Sequence, residues 1–259
     1  MKQALLFFML LSILAACDNT TAPLPAPATL TPTSTDPYTI GLSYYDKADY
    51  SRAITEFNKA IRAQPDHADA LYKRGWSQLN INEYDKAMVD FERVISLKPQ
   101  SELGYYGRAY VHNVRGELEE AIADFTRAIE RKPDYHQAYT DRGRVNFDIG
   151  DAQQALADFT RAIELEPKSS DAYFNRGLVY RGLDETDKAI ADFTAVIALQ
   201  ADDAEAYYNR ANAYNYKGDR PHAAADYQKA LELAKDPDLK SSVQEEWDAM
   251  EGKFPPPAP

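Results

Sequence analysis

The sequence is poor in the residues on which small disulfide-rich or metal-bound proteins depend. It contains one cysteine among 259 residues, so neither a disulfide framework nor a thiolate zinc cluster can form within one chain. Glycine is scarce, with 11 residues, and histidine occurs only four times. No His-Glu-x-x-His motif and no metal-ligand spacing is present. We therefore predict neither a metal site nor a cofactor.

Two further deficits narrow the classes of function. Basic residues number 29 against 41 acidic residues, a formal net charge of −12, whereas proteins that bind nucleic acids normally carry a basic face. The sequence also lacks a G-x-S-x-G nucleophile elbow, a G-x-G-x-x-G turn and a phosphate-cradling loop. We therefore expect no nucleic-acid partner, no small-molecule substrate and no enzymatic activity.

The acidic excess is concentrated in the middle of the chain. Residues 102–203 contain 20 acidic and 12 basic residues. Such a surface would steer basic or neutral partners towards the protein. The alternative is that the charge serves solubility alone.

The longest apolar run lies at the start of the chain. Residues 4–16 are apolar except for Ser12 and follow the positive Lys2. A membrane-spanning helix needs about 20 apolar residues, so this run is too short to span and is typical of the apolar region of a signal peptide. We predict that residues 1–16 are a signal peptide.

The run ends in Leu-Ala-Ala-Cys, which resembles the bacterial lipobox and contains the only cysteine, Cys17. The resemblance implies that Cys17 becomes the lipidated N-terminus, with palmitate among its acyl chains. The mature protein would then be a lipoprotein of the bacterial cell envelope, facing outside the cytoplasm. An ordinary secretory signal with a chance cysteine is the alternative.

Residues 17–35 are dominated by proline, threonine and alanine. Such a segment cannot bury enough apolar surface to offset its chain entropy, and its alternating prolines favour an extended conformation. We predict a disordered tether that holds the following domain off the membrane; a proline-rich ligand for another protein is the alternative. The proline-rich tail, residues 252–259, is also predicted to be disordered.

A 34-residue repeat fills the rest of the chain, and a period of this length indicates an array of stacked units. Prolines recur at this spacing at Pro65, Pro99, Pro133 and Pro167. A large aromatic residue recurs at Phe57, Phe91, Phe125, Phe159, Phe193 and Tyr227. A small residue recurs at Gly41, Gly75, Ala109, Gly143, Gly177 and Ala211. Apolar residues within each unit step by three and four, which is helical periodicity.

Each unit is predicted to contain two helices. A residue that tolerates a left-handed turn divides most units, namely Asn82, Gly116, Gly150, Asp184 and Gly218. The recurring proline would close the second helix, because the residue before a proline resists helical geometry.

The pattern resembles the tetratricopeptide repeat (TPR), whose motif runs from a large apolar residue through glycine, tyrosine, alanine and phenylalanine to proline. In the fifth unit the motif positions are held by Tyr173, Gly177, Tyr180, Ala189, Phe193 and Val196. The resemblance implies an all-α, right-handed superhelical solenoid of six helix-turn-helix units over residues 36–237. A capping helix over residues 238–251 would close it. Pro37 occupies the large-apolar position of the first unit, so we expect its first helix to be short.

Two charged columns run through the array, sixteen residues apart. The arginines are Arg74, Arg108, Arg142, Arg176 and Arg210. The aspartates are Asp90, Asp124, Asp158, Asp192 and Asp226. The spacing suggests structural ion pairs between the two helices of a unit, such as Arg142 with Asp158 and Arg176 with Asp192, since a planar guanidinium suits carboxylates. A row of free arginines for anionic ligands is the alternative.

In the resembled family, the first helix of each unit lines a concave groove that binds an extended peptide or a partner helix. The corresponding groove residues here are Tyr72, Lys73, Trp76, Tyr106, Tyr110, Arg144, Asn175, Asn209 and Asn212. We expect the aromatic residues to face the groove and not the helix–helix contacts, and Asn175 and Asn209 to bond a peptide backbone. Aromatic residues at these places are also common in generic repeats. A clamp for a chaperone tail is rejected, because Asp171 and Glu205 stand where it needs cations.

The sequence therefore predicts a lipid-anchored extracytoplasmic scaffold that binds other proteins of the envelope. A narrower alternative is an assembly factor or adaptor of an envelope machine, such as a pilus secretin or a cell-wall hydrolase complex. A solute-binding lipoprotein would require alternating strands and helices, which the pattern does not support.

Overall fold

The computed structural model describes residues 35–252, which fold into thirteen α-helices. The predicted signal peptide, Cys17, the tether before residue 35 and the tail after residue 252 lie outside the described residues. No helix in the described part is both long enough and apolar enough to cross a bilayer.

The first twelve helices form six consecutive helix-turn-helix units, and the thirteenth closes the stack. Their bounds are α1 Pro37–Tyr45, α2 Tyr50–Ala63, α3 Ala68–Asn80, α4 Tyr84–Leu97, α5 Glu102–Val114, α6 Leu118–Arg131, α7 His136–Asp148, α8 Ala152–Leu165, α9 Ser170–Gly182, α10 Thr186–Leu199, α11 Ala204–Lys217, α12 Arg220–Leu233 and α13 Pro237–Met250. Each unit packs on the next, so that the array is an all-α solenoid. The predicted fold is confirmed.

The first unit starts late, as the sequence predicts. Helix α1 has 9 residues, whereas α3 has 13. Pro37 occupies its first helical position, and the Asp36 carboxylate accepts hydrogen bonds from the backbone N–H groups of Tyr38 and Thr39. A proline at this position and an aspartate cap both favour initiation.

Within each unit the chain reverses at a residue with positive φ. These residues are Ala48, Asn82, Gly116, Gly150, Asp184 and Gly218, with φ between 56° and 85°. Five of them are the turn residues predicted from the sequence. Ala48, with φ of 56°, is the unexpected one, because a β-carbon makes this conformation unfavourable.

Replacing Ala48 with glycine should raise the free energy of unfolding by about 0.5–1 kcal/mol. The substitution removes the strain of the left-handed conformation, and the greater entropy of the unfolded chain offsets only part of this gain. Ala53→Gly is the control: Ala53 is fully buried within α2, and glycine there should destabilise by about 1 kcal/mol or more. Urea unfolding of both variants measures the difference. A loss of stability in Ala48→Gly would contradict the strain.

The second helices α2, α4, α6 and α8 each end two residues before the recurring proline, where the sequence predicts their end. Helix α10 ends at Leu199 in the same register, although Ala201 stands where the proline would be. Packing between the units therefore fixes this helix end without a proline.

The core is a row of aromatic side chains, one for each unit. All six members of the aromatic column are fully buried. The small-residue column makes room for them: a β-carbon on Gly143 would lie 2.8 Å from Cε1 of Phe159, and one on Gly177 would lie 2.9 Å from Cε1 of Phe193. The two columns thus set how closely the helices of one unit approach.

Helix α13 covers the last unit. Its buried Val243 and Met250 pack in one cluster with Tyr227, and the half-buried Leu239 and Trp247 border them. The helix starts at Pro237 after Asp236, whose side chain accepts a hydrogen bond from the backbone N–H of residue 238. It therefore removes from water an apolar face that the sixth unit would otherwise expose.

Candidate protein-binding groove

The inner face of the solenoid is formed by the first helices of the units. Among the described helices, α1 contacts α3, α3 contacts α5 and α7 contacts α9, whereas neighbouring second helices do not pack together closely. In a curved stack the elements that approach each other lie on the inner side of the curve. We call the surface formed by α1, α3, α5, α7, α9 and α11 the groove.

The groove contains an aromatic cluster, defined as Tyr72, Trp76, Tyr106, Tyr110 and Tyr135. Trp76 lies at its centre, with ring centroids 5.1 Å from Tyr110, 5.9 Å from Tyr106 and 6.2 Å from Tyr72. All five side chains are half-buried. The structure thus brings together the four aromatic residues that the sequence singled out.

Tyr135 is the member that sequence reasoning missed. It is the N-cap residue of α7, and its ring lies 4.8 Å from that of Tyr106. His67 occupies the same position two units earlier, and its ring lies 4.8 Å from that of Tyr38. An aromatic ring at the N-cap of the first helix of a unit, as at His67 and Tyr135, could have indicated this contact. The prediction considered only positions within the helices.

One expectation about this cluster was wrong. Tyr72 and Trp76 do not face the groove alone, because their rings also pack on the fully buried Phe91, at 5.9 Å and 5.8 Å. Both side chains therefore line the groove and also pack against the core. Their removal must therefore affect stability as well as any ligand.

Helices α3 and α5 approach each other closely around Phe91. A β-carbon on Gly75 would lie 2.8 Å from Cε1 of Phe91, and one on Gly107 of the next unit would overlap the same ring. The residue corresponding to Gly107 in other units is larger, for example Asp141 or Asn175. Both glycines approach the Phe91 ring, so that α5 packs close to α3 and its tyrosines reach Trp76.

A buried carboxylate borders the cluster. The Tyr106 hydroxyl donates a 2.6 Å hydrogen bond to Oδ2 of Asp141. Burial raises the pKa of the Asp141 carboxyl, against the lowering effects of this bond and of Arg144. Burial also raises the pKa of Tyr72 to about 12, so its hydroxyl stays protonated at neutral pH. Asp141 was not predicted, although it occupies the same unit position as Asn175 and Asn209.

Two predicted cations lie along the groove. The Nζ of Lys73 lies 4.6 Å from the centroid of the Tyr45 ring. The Nη1 of Arg144 is 3.7 Å from Oδ1 of Asp141, beyond hydrogen-bonding distance, and its side chain is 47% exposed. Arg144 is thus accessible and only loosely held.

The three predicted asparagines already make intramolecular hydrogen bonds. Asn175 donates from Nδ2 to the backbone oxygen of Asp171 at 2.7 Å, and Asn209 donates in the same way within α11. Oδ1 of Asn209 accepts from Arg181, and Oδ1 of Asn212 accepts from a tyrosine hydroxyl. A peptide backbone would have to compete with these bonds.

The far end of the groove holds a polar cavity of about 300 Å³ between α9, α11 and α13. Its lining includes Arg181, Asn212, Tyr216 and Glu246. Asp184 also belongs to the lining, so the cavity contains two carboxylates and one guanidinium. The groove is therefore aromatic near its first units and polar near its last.

The arginine and aspartate columns form bidentate ion pairs in the structure. Nε and Nη2 of Arg142 donate to the two carboxylate oxygens of Asp158 at 3.0 Å and 2.6 Å. Arg176 and Asp192 form the same pair, with both distances 2.8 Å. The other pairs are Arg74–Asp90, Arg108–Asp124 and Arg210–Asp226.

The remaining guanidinium nitrogen connects neighbouring units. Nη1 of Arg142 donates to Thr126 at 2.9 Å, and Nη1 of Arg176 donates to Thr160 at 3.1 Å, both on the second helix of the preceding unit. Sequence reasoning missed this threonine column, which lies one residue after the aromatic column. Since the guanidinium groups are committed to these bonds, the structure favours a structural role over a row of free anion-binding arginines.

Arg142→Ala should lower the free energy of unfolding by roughly 0.5–3 kcal/mol. The double variant with Asp158→Ala should lose less than the sum of the single losses, because the two side chains are bonded partners. Urea unfolding of all four proteins measures this. The exposed pair Arg161 and Glu164 is the control and should give nearly additive losses. Additive losses at Arg142 and Asp158 as well would refute their energetic coupling.

No group of three or more histidine, cysteine, aspartate or glutamate side chains between residues 35 and 252 is arranged to hold a metal ion. The chemistry available in the groove is therefore that of rings, amides and unpaired charges. Such a surface is suited to binding a partner, and the described groove residues show no arrangement typical of a catalytic site.

Comparisons with known proteins agree with this architecture. The sequence matches the tetratricopeptide repeat family over residues 38–102, 103–135, 140–195 and 204–237. No curated protein sequence matches it significantly.

Among solved structures, one similar chain is YrrB, described as a TPR protein with an unusual peptide-binding site. It is 25% identical, with a TM-score of 0.60, and the match covers 73% of this chain and 97% of YrrB. PilW, described as a widely conserved type IV pilus biogenesis factor, is 17% identical with a TM-score of 0.73, covering 80% and 96%. The Pseudomonas aeruginosa pilF structure is 16% identical with a TM-score of 0.72, covering 81% and 96%. The repeat columns, the stacked helix pairs and these matches agree: the chain belongs to the tetratricopeptide repeat family and is a scaffold for protein–protein interaction.

Proposed function

We propose that this protein is a lipid-anchored scaffold on the outer side of a bacterial membrane, and that its groove holds a peptide or helix of an envelope protein. The aromatic cluster carries the proposal. Trp and Tyr rings offer large contact areas at low entropic cost and dominate the energetics of many interfaces. Here three tyrosine rings surround Trp76, those of Tyr72, Tyr106 and Tyr110.

The proposed anchor rests on the lipobox-like sequence at Cys17. Each buried methylene of an acyl chain contributes about 0.8 kcal/mol to membrane binding, and several chains on one residue would hold the protein firmly. The following tether would separate the groove from the membrane surface.

Cys17→Ser should prevent lipidation and release the protein from the membrane fraction. Fractionation followed by mass spectrometry of the N-terminal peptide measures both. Thr21→Ser, a conservative change in the tether, is the control and should stay in the membrane. If the serine variant stays in the membrane pellet uncleaved, the apolar segment itself is the anchor.

The binding proposal is tested by passing detergent-solubilised membranes over the immobilised protein. A scaffold should retain a protein that is lost when Trp76 is replaced, whereas a solute-binding lipoprotein would retain a small molecule. The identity of the captured protein tests the narrower forms, in which the scaffold assembles a pilus secretin or adapts a cell-wall hydrolase. PilW is described as a pilus biogenesis factor, but at 17% identity the likeness concerns the fold alone.

A further inference from the structure

Resting on this proposed function, we propose that the groove selects partner segments in which a lysine or arginine lies next to an apolar residue. The apolar side chain and the methylenes of the basic residue would lie on Trp76 and Tyr110. The cation would face the acidic strip, defined as Asp141, Asp148 and Asp171.

The acidic strip is only partly neutralised by the protein's own cations: Arg144 forms a loose ion pair with Asp141 and acts electrostatically on Asp148. No lysine or arginine in the described part of the chain donates a hydrogen bond to any of these three carboxylates. The Nη1 of Arg144 lies 3.7 Å from Oδ1 of Asp141, and the Arg144 side chain is 47% exposed. The aspartates of the ion-pair columns differ, because each of them is bound by two guanidinium nitrogens of an arginine, as Asp158 is.

The strip and the aromatic cluster are joined physically. The Tyr106 hydroxyl is bonded to Asp141, and Asp141 and Arg144 both act electrostatically on Tyr110. A basic side chain lying on these rings therefore ends beside the carboxylate. Lysine and arginine are suited to this arrangement, since their stems are apolar and their heads charged.

The borders of the cluster already show the preferred contact. The Nζ of Lys132 lies 4.8 Å from the centroid of the Tyr135 ring, and that of Lys73 lies 4.6 Å from the Tyr45 ring. Within residues 35–252, neither Trp76 nor Tyr110 has such a cation over its ring. Tryptophan is the strongest cation–π acceptor, so Trp76 is the ring best suited to bind a cation of a partner.

The wider charge distribution points the same way. The chain carries a net charge of −12, and residues 102–203 hold 20 acidic and 12 basic residues. A basic segment would be drawn to this surface and an acidic one repelled. The charge complementarity thus selects a basic occupant.

The test pans a library of random displayed peptides against the protein and measures the affinity of enriched peptides by fluorescence polarisation. We expect enrichment of lysine or arginine beside apolar residues, and replacement of that basic residue by glutamine should weaken binding about tenfold. The Asp148→Asn/Asp171→Asn double variant should weaken binding similarly and flatten its salt dependence. Glu119→Gln, an exposed site on α6, is the control for charge alone and should leave affinity unchanged.

The outcomes separate the two proposals. Enriched peptides that are acidic or purely apolar, and that still lose affinity with Trp76→Ala, would overturn the cation preference and leave the groove as the binding site. Peptides insensitive to Trp76→Ala, or no enrichment at all, would overturn the groove as a peptide site. Equal loss in Glu119→Gln would reduce the preference to general attraction between charges and overturn the acidic strip.

Discussion

Phe125→Ala should lower the free energy of unfolding by about 3–5 kcal/mol. The Phe125 side chain is fully buried and packs with Ala109, Ala121 and Val145, which belong to two consecutive units. Truncation leaves a cavity at a joint of the array, where the helices cannot collapse around it without moving a whole unit. Circular dichroism during urea and thermal unfolding measures the loss.

Tyr216→Ala is the matched control for this aromatic truncation. Tyr216 is 70% exposed, so its removal should change the stability by no more than about 0.5 kcal/mol. Equal effects of the two substitutions would contradict the assignment of the aromatic column as the core.

Trp76→Ala should weaken binding of the partner segment by about 2 kcal/mol or more, as truncations at the centre of an interface do. It should also destabilise the protein by about 1–3 kcal/mol, because the indole packs on Phe91 as well as on the groove rings. Thermal unfolding and partner affinity, measured on the same samples below the melting range, give both quantities.

Tyr110→Ala separates these two effects. Its ring contacts Trp76 and Tyr106 in the groove and only borders the buried cluster around Phe125, so we expect a loss of affinity with a smaller loss of stability than in Trp76→Ala. If both variants stay folded and bind the partner as the unchanged protein does, the partner uses another face of the solenoid.

The fold was readable from the sequence because each structural requirement is repeated. A fully buried phenylalanine, a small residue facing it and a left-handed turn recur every 34 residues, so one accidental residue does not hide the pattern. Ala48 shows the effect: the first unit takes the same turn with φ of 56°, although alanine alone would never indicate it.

The groove was only partly readable, because its contacts depend on residues that are not repeated. Tyr135 reaches Tyr106 from a turn, and Asp141 accepts the hydroxyl of a tyrosine from the preceding unit. The first contact has a counterpart only in Tyr38 and His67, and the second has none among the described residues. The double role of Trp76 was missed because the motif assigns this position to the groove, whereas its ring also packs on Phe91.

Phe91, held between Gly75 and Gly107, has a consequence for the shape of the whole molecule. In a solenoid the units beyond a joint move with it as a lever, so a small change of angle at one joint becomes a large displacement at the far end. A single methyl group on Gly107 would require the Phe91 ring or helix α5 to move, and a shift of α5 would tilt the last four units against the first two. The curvature of the array, and with it the width offered to a partner, is thus sensitive to one hydrogen-to-methyl exchange on α5.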